Sequence, residues 1–244
     1  MIDKGCILTD NDKITEHIFE TFKNQFNSKP CEESSNSKFL KKLPKLLEQF
    51  FAIGDRISLQ EVQKAIRNAK CLSSPGRDGI PNEFYQLFHS EVCDILLKVY
   101  NEILIQGLCP GGFNEVDIVL IPKKETPESL NDWHPISLLN NDYKLLTSIL
   151  SKRLYESMPS IINEEQTCSI KGRGISTNIS CVRDILQSRR IRKGLLVFLD
   201  QEKAFDNVTH SNLLLVLIGF GYPQDFVKWI KILLNNSCGR VING

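Results

Sequence analysis

Five consecutive apolar residues, Leu195 to Leu199, end at the carboxylate of Asp200. An unbroken run of branched and aromatic side chains is typical of a short β-strand that is buried on both faces. A polar segment that suits a helix, Gln201 to Asp206, follows this run. A strand with an acid at its carboxyl end is a common way to build a metal or phosphate site. The alternative is an ordinary strand followed by an aspartate that caps the next turn.

Helices are predicted over much of the remaining chain, because apolar residues recur there at helical spacing. The segment from Ser58 to Glu61 adds a capping-box pattern, which marks a helix start. Alternating residues from Glu115 to Pro122 predict a second strand, and residues 241–244 predict the beginning of a third. The predicted helices cover residues 12–26, 39–51, 58–69, 81–106, 143–158, 179–190, 209–217 and 223–234.

The cysteines and the apolar runs exclude several classes of protein. No two of the eight cysteines lie closer than thirteen residues, so neither a zinc pattern nor a disulfide framework is expected. The apolar run from Leu213 to Phe220 is too short to span a bilayer, and the first residues do not form a signal peptide. We therefore expect an intracellular protein, cytoplasmic or nuclear, without a membrane partner.

Basic residues are concentrated in one part of the chain, although the formal net charge is only +1. Residues 144–193 carry 10 basic and 4 acidic side chains, whereas residues 71–143 carry 4 basic and 11 acidic ones. A surplus of six positive charges before the Asp200 segment can face a polyanion. A solvated helix face is the alternative interpretation.

Five motifs, taken in order, resemble one known family. They are Ser73 to Pro81, Leu120 to Lys124, Trp133 to Asn140, Phe198 to Asp206, and Gly219 to Pro223. Together they resemble the reverse transcriptases of LINE-type (non-LTR) retrotransposons, over about residues 60–244. The resemblance implies an α+β fold, with helix-rich fingers, a partial palm of a right-hand polymerase and a small incomplete β-sheet. It also implies three parts: a helical lead-in at 1–70, a fingers-like region at 71–193 and the start of a palm at 194–244.

The chemistry implied by the resemblance is nucleotidyl transfer with two magnesium ions, using deoxynucleotides, an RNA template and a DNA primer. By resemblance, Asp200 is the catalytic, metal-binding aspartate of the palm, and the backbone carbonyl of Gln201 helps to hold the metal on the nucleotide side. Phe205 matches the aromatic residue that packs against the sugar and excludes a 2′-hydroxyl, with plain core packing as the alternative. Lys123 matches the lysine that meets the incoming triphosphate, and its alternative is a solvated loop lysine.

Template contacts are implied for Gln166 and Arg173, but the sequence departs from the family pattern nearby, from Thr167 to Gly174. A second departure is His134, which stands where the family usually has an arginine that contacts the nucleotide. A neutral imidazole lacks the fork of donors and the permanent charge of arginine. We therefore predict weak nucleotide binding through His134.

The third departure concerns the paired aspartates that complete the family's metal site. The sequence contains no adjacent aspartates, and one carboxylate cannot hold two magnesium ions. We therefore expect a fragment of an RNA-directed DNA polymerase, comprising the fingers and the beginning of the palm, without polymerase activity of its own. The alternatives are a non-catalytic nucleic-acid-binding module and the product of a decayed element.

Overall fold

The computed structural model describes residues 10–26, 39–188, 194–235 and 237–242, together with the backbone of two short strands near the N-terminus. These residues combine many helices with small sheets, which confirms the predicted α+β class. The helices are α1 (Asn11–Phe26), α2 (Leu59–Asn68), α3 (Asn82–Leu87), α4 (His89–Gln106), α5 (Asn141–Ser157), α6 (Ile175–Gln187), α7 (His210–Phe220) and α8 (Gln224–Leu234). The strands are β1 (Ile2–Asp3), β2 (Cys6–Ile7), β3 (Glu115–Pro122), β4 (Trp133–Leu139) and β5 (Cys238–Ile242).

Local capping explains where several helices begin and end. Before α2, the Ser58 hydroxyl accepts the backbone N–H of Glu61 while the Glu61 carboxylate accepts that of Ser58, which confirms the predicted capping box. Thr209 accepts the N–H of Asn212 in the same way at the start of α7. Gly107 ends α4 in a left-handed conformation with φ of 73°, which glycine adopts at little cost. No helix of the described ranges is long and apolar enough to cross a membrane.

The larger sheet has the order β4-β3-β5. Strands β3 and β4 are antiparallel, in a register that runs from Val116 opposite Leu139 to Pro122 opposite Trp133. Strand β5 runs parallel to β3, with Asp117 opposite Arg240. The prediction of β3 is therefore confirmed, whereas β4 was not predicted as a strand because Pro135 interrupts its sequence pattern.

The chain divides into two compact units, of which the first comprises Met1–Pro30, Asp55–Ile149 and Lys228–Gly244. Its described interior contains side chains of α2, α4 and α5, such as Ile66, Tyr100 and Leu146, each fully buried. The Tyr100 hydroxyl donates a hydrogen bond to the backbone oxygen of Asp142 at 2.8 Å, so this buried polar group has a partner. This unit also contains the larger sheet. The predicted boundaries at residues 70 and 193 stay a prediction.

The second unit comprises Cys31–Gly54 and Leu150–Val227. Its buried residues include Ile161, Ile170, Leu217 and Phe226. The ring of Tyr222 stacks on that of Phe226, with centroids 5.2 Å apart. The hydroxyls of Tyr222 and Ser157 form a buried hydrogen bond of 2.8 Å, so these two polar groups are paired within the interior.

Two predicted helices differ from the structure. The long helix at 81–106 is divided at Phe88, whose backbone (φ −100°, ψ 34°) ends α3 and begins α4. The apolar spacing continues through this one-residue break, so periodicity does not detect it. Within the described part of 39–51, Phe39 and Leu40 are helical, a break follows, and a 3₁₀-helix begins at Glu48 and extends to Gly54. Pro44 explains this second difference, because it cannot continue a helix and disfavours helical geometry at the preceding residue.

The prediction of a buried strand at Leu195–Leu199 is wrong for this structure. Residues 194–200 have no regular secondary structure, and Leu199 is 91% exposed. A strand buried on both faces needs neighbouring strands and covering helices, and no described strand pairs with this run. The sequence therefore shows that the segment is apolar, but it does not show which strands or helices would cover it. We call residues Leu195–Leu199 the apolar segment below.

Candidate functional site

Lys123 lies directly after β3, where the hairpin between β3 and β4 closes. Its backbone N–H donates to the Asp132 carbonyl at 2.7 Å, and its ammonium donates to the Asn131 carbonyl at 2.7 Å. The side chain is nevertheless exposed. The hairpin therefore holds a compact cation at the end of a strand, in contact with one neutral acceptor.

Asp132 stabilises the conformation of the chain at the closed end of this hairpin. Its carboxylate accepts the backbone N–H groups of Ser129 and Glu128 at 3.0 Å each and pairs with Lys124 at 3.1 Å. These hydrogen bonds, with the Lys124 charge in addition, hold the pKa of Asp132 well below its usual range. Sequence reasoning missed this residue, although the Ser-x-x-Asp pattern from Ser129 to Asp132 is a capping-box signal.

His134 lies on β4, opposite Ile121 of β3. Its side chain is exposed, so the imidazole is available to a ligand. Lys123 and His134 therefore belong to one hairpin in the first unit. The other predicted site residues, Gln166, Arg173, Asp200, Gln201 and Phe205, belong to the second unit.

Gln166 and Arg173 lie in one loop between α5 and α6. Gln166 is exposed, and its side-chain amide donates to the Cys168 carbonyl at 3.4 Å. Arg173 is half-buried, and its guanidinium donates to four backbone carbonyls of the same loop, those of Pro159, Ile162, Asn163 and Gln166. The structure therefore brings these two predicted residues together through a direct hydrogen bond.

Asp200, Gln201 and Phe205 follow the apolar segment in a series of turns. The turns are closed by Asn207, whose N–H donates to the Lys203 carbonyl at 3.0 Å and whose side-chain amide donates to the Glu202 carbonyl at 3.0 Å. Phe205 is 94% exposed, which excludes core packing as its role in this structure. No helix begins directly after Asp200, so its alternative role as a helix cap has no support here either.

Carboxylates do not converge around Asp200. Among the described residues there is no group of three or more His, Cys, Asp or Glu side chains that could hold a metal ion. Asp200 itself is exposed. A hard divalent cation requires several oxygen ligands in a fixed geometry, and this donor set does not supply them.

Comparison with known proteins agrees with the motifs. The family described as "Reverse transcriptase (RNA-dependent DNA polymerase)" matches residues 121–244, which include every predicted site residue. The transposon TX1 uncharacterized 149 kDa protein of Xenopus laevis is 31% identical over 95% of this chain, and the chain covers 18% of that protein. The retrovirus-related Pol polyprotein from the type-2 retrotransposable element R2DM of Drosophila melanogaster is 30% identical over 70% of the chain, which covers 16% of it.

A third relative extends this likeness. The RNA-directed DNA polymerase from the mobile element jockey of Drosophila melanogaster is 26% identical over 65% of the chain, which covers 18% of that protein. The chain thus spans less than a fifth of the length of these relatives. Because the family match extends over half of the chain and the relatives are proteins of non-LTR retrotransposons, the chain belongs to the reverse-transcriptase family, in its non-LTR retrotransposon branch.

Proposed function

We propose that this chain forms the nucleotide-side and template-side part of an RNA-directed DNA polymerase that extends a DNA primer on an RNA template. The observation that carries the proposal is the family match over residues 121–244, because all seven predicted site residues lie inside it. The name of the jockey protein states RNA-directed DNA polymerase activity, but this chain covers only 18% of that protein, so for this chain the activity is a proposal.

Lys123 and His134 contact the incoming deoxynucleotide in this proposal. An exposed ammonium at the end of β3 suits a triphosphate, since a compact cation binds phosphate as a point charge. His134 on the neighbouring strand β4 supplies a weaker contact than an arginine, because a neutral imidazole carries neither a fork of donors nor a fixed charge. Nucleotide affinity through this hairpin is therefore low.

Phe205 and the backbone carbonyl of Gln201 contact the sugar and the nucleotide side of the site. An aromatic ring that is almost fully exposed is costly to leave in water, and contact with a sugar would cover it. Excluding a 2′-hydroxyl requires only that the ring occupy its space. This role needs no further polar group.

Reverse transcriptases generally use Mg²⁺, and Asp200 is the residue of this chain that would bind it. The described residues do not fit a complete magnesium site, because they offer no cluster of three ligands. No reaction step is therefore assigned to a metal in this chain. The exposed Asp200 carboxylate belongs to no group of three possible metal ligands among the described residues, which favours a nucleic-acid-binding module without catalysis as the second candidate.

Template binding relies on cations of the basic segment at 144–193, several of which also contact the protein itself. Lys144 donates to the Ser74 carbonyl, Arg153 to the Ile53 carbonyl, and Lys171 pairs with Glu156. Arg183 lies 3.8 Å from Asp184. We assign phosphate contact to Lys152 because it is exposed on α5 within this segment.

The proposal is tested by binding of an RNA template annealed to a DNA primer, measured by fluorescence anisotropy across a salt titration. We expect affinity to fall as salt rises, because each phosphate contact releases counterions. Lys152→Glu lowers the affinity and the salt slope. Lys98→Glu, a matched reversal on helix α4 in the acidic part of the chain, leaves both unchanged.

The same samples, given Mg²⁺ and deoxynucleotides, separate the two candidate functions. We expect no primer extension, since one carboxylate does not form a two-metal site. Extension that is lost in Asp200→Asn would show a complete site and favour the polymerase over the binding module. Binding that is independent of salt, or equally weakened by Lys98→Glu, would contradict both candidates.

A further inference from the structure

The guanidinium of Arg173 is occupied by the protein's own backbone. Its Nη1 donates to the carbonyls of Asn163 and Gln166, the latter at 3.0 Å. Its Nη2 donates to the carbonyls of Ile162 at 3.0 Å and Pro159 at 3.3 Å. A single side chain thus contacts four carbonyls spread over residues 159–166.

A count of donors excludes a bidentate phosphate contact by Arg173. A guanidinium has five N–H groups, and four of them are used by the carbonyls. The fork that makes arginine a strong phosphate ligand needs two parallel donors. Only the Nε–H remains, so a two-donor contact to a template phosphate would require breaking hydrogen bonds within the loop.

Further contacts hold the loop around Arg173 in place. Thr167 and Ile170 are buried, and the Arg173 backbone N–H donates to the Ile170 carbonyl at 3.1 Å. Asn178 of α6 donates to the Glu165 carbonyl at 3.4 Å. Ser169 has φ of 58°, a conformation that a non-glycine residue keeps only where its surroundings hold it.

We propose that Arg173 is a positioning residue, which fixes residues 159–166 and thereby holds Gln166, whose template contact the family resemblance implies, in place. Arg173 binds the Gln166 carbonyl directly, and the Gln166 N–H donates to the Asn163 carbonyl at 3.1 Å, so the backbone of Gln166 is fixed on both sides. Its side chain is exposed, and its amide makes a long hydrogen bond of 3.4 Å to the Cys168 carbonyl. The inference rests on the proposed template binding and assigns the residue that positions its contact.

Arg173→Lys separates positioning from contact, because lysine keeps the charge and loses the fork. Amide hydrogen exchange without RNA should become roughly tenfold faster at residues 159–170, as expected when a local ordered unit opens. RNA affinity should fall roughly three- to tenfold, the size of one polar contact, with the salt slope unchanged. Arg183→Lys is the matched control, since Arg183 is exposed and its neighbour Asp184 is its ion-pair partner among the described residues. This variant should change neither quantity.

Gln166→Ala provides a second variant that preserves the fold, because Arg173 binds the Gln166 backbone and not its side chain. We expect normal hydrogen exchange in the loop, with a loss of RNA affinity equal to that of Arg173→Lys and no further loss when both changes are combined. Unchanged affinity in Gln166→Ala would overturn the assignment of the contact.

The proposal fails if Arg173→Lys retains both loop protection and affinity, or if it lowers the salt slope as a phosphate contact would. If Arg173→Lys has the same thermal stability as the unchanged protein, faster hydrogen exchange in the loop reports local opening and not global unfolding. If the unchanged protein does not bind RNA at all, template binding is wrong, whereas the exchange experiment still decides whether Arg173 holds the loop.

Discussion

Asn140, at the junction of β4 and α5, fixes the turn-rich loop from Ser73 to Pro81. Its side-chain oxygen accepts the Asp78 N–H at 3.3 Å, and its amide donates to the Gly112 carbonyl at 3.1 Å. Asn141, fully buried, donates to the Ile80 carbonyl at 2.7 Å. This turn-rich motif is therefore a fixed part of the first unit.

Gly76→Ala should destabilise the first unit through lack of space. A Cβ at this position would lie 2.3 Å from both the backbone nitrogen and the side-chain oxygen of Asn140. Overpacking of this kind costs about 1–3 kcal/mol of unfolding free energy, measured by urea denaturation. Gly111→Ala, with no atom within 4 Å of the new Cβ, is the control. Equal stability of the two variants would show that the loop moves freely.

At the scale of elements, strand β5 joins the sheet through a parallel ladder and one ion pair. Arg240 Nε and Nη2 donate to the two oxygens of Asp117, both at 3.1 Å. Asp117 is buried while Arg240 is half-exposed. The carboxylate therefore depends on this arginine for compensation of its burial.

Arg240→Ala should cost about 1–3 kcal/mol of unfolding free energy, because it leaves a buried acceptor without its partner. Asp117→Asn in the same background should recover part of this loss by removing the charge. The comparison is Arg77→Ala, which breaks the exposed pair of Arg77 and Glu115 on the same sheet and should cost no more than about 1 kcal/mol. A larger cost for Arg77→Ala would contradict this assignment.

The elements also show which features could be predicted from sequence. The α2 cap, strand β3 and the Gly107 end of α4 depend on neighbouring residues, and these were predicted correctly. Strand β4 and the pairing of β5 with β3 depend on residues far along the chain, and they were missed or only partly predicted. The candidate site residues could be named from the order of the motifs along the chain. The four carbonyl partners of Arg173 could not, because they depend on the geometry of the loop alone.

At the scale of the whole molecule, the apolar segment forms an exposed apolar surface on the second unit. Its residues are exposed although their sequence suits a buried strand. Exposed apolar groups of this density are a site for association, and a segment that pairs with no strand of the described residues can offer its backbone N–H and C=O groups to another chain. Five residues without charge, glycine or proline also match the pattern of segments that pair with identical copies.

We therefore predict that the 244-residue chain self-associates through this segment at micromolar concentration. Antiparallel pairing about Val197 would place Leu195 of one copy opposite Leu199 of the other and cover both. Phe198→Lys should shift the protein towards monomer in sedimentation velocity, because a charge interrupts the apolar pairing. Leu72→Lys, at an apolar side chain that is 98% exposed in the first unit, is the control for a mere gain of charge. If both variants reduce association equally, net charge governs it, and if neither does, the apolar segment is not the contact.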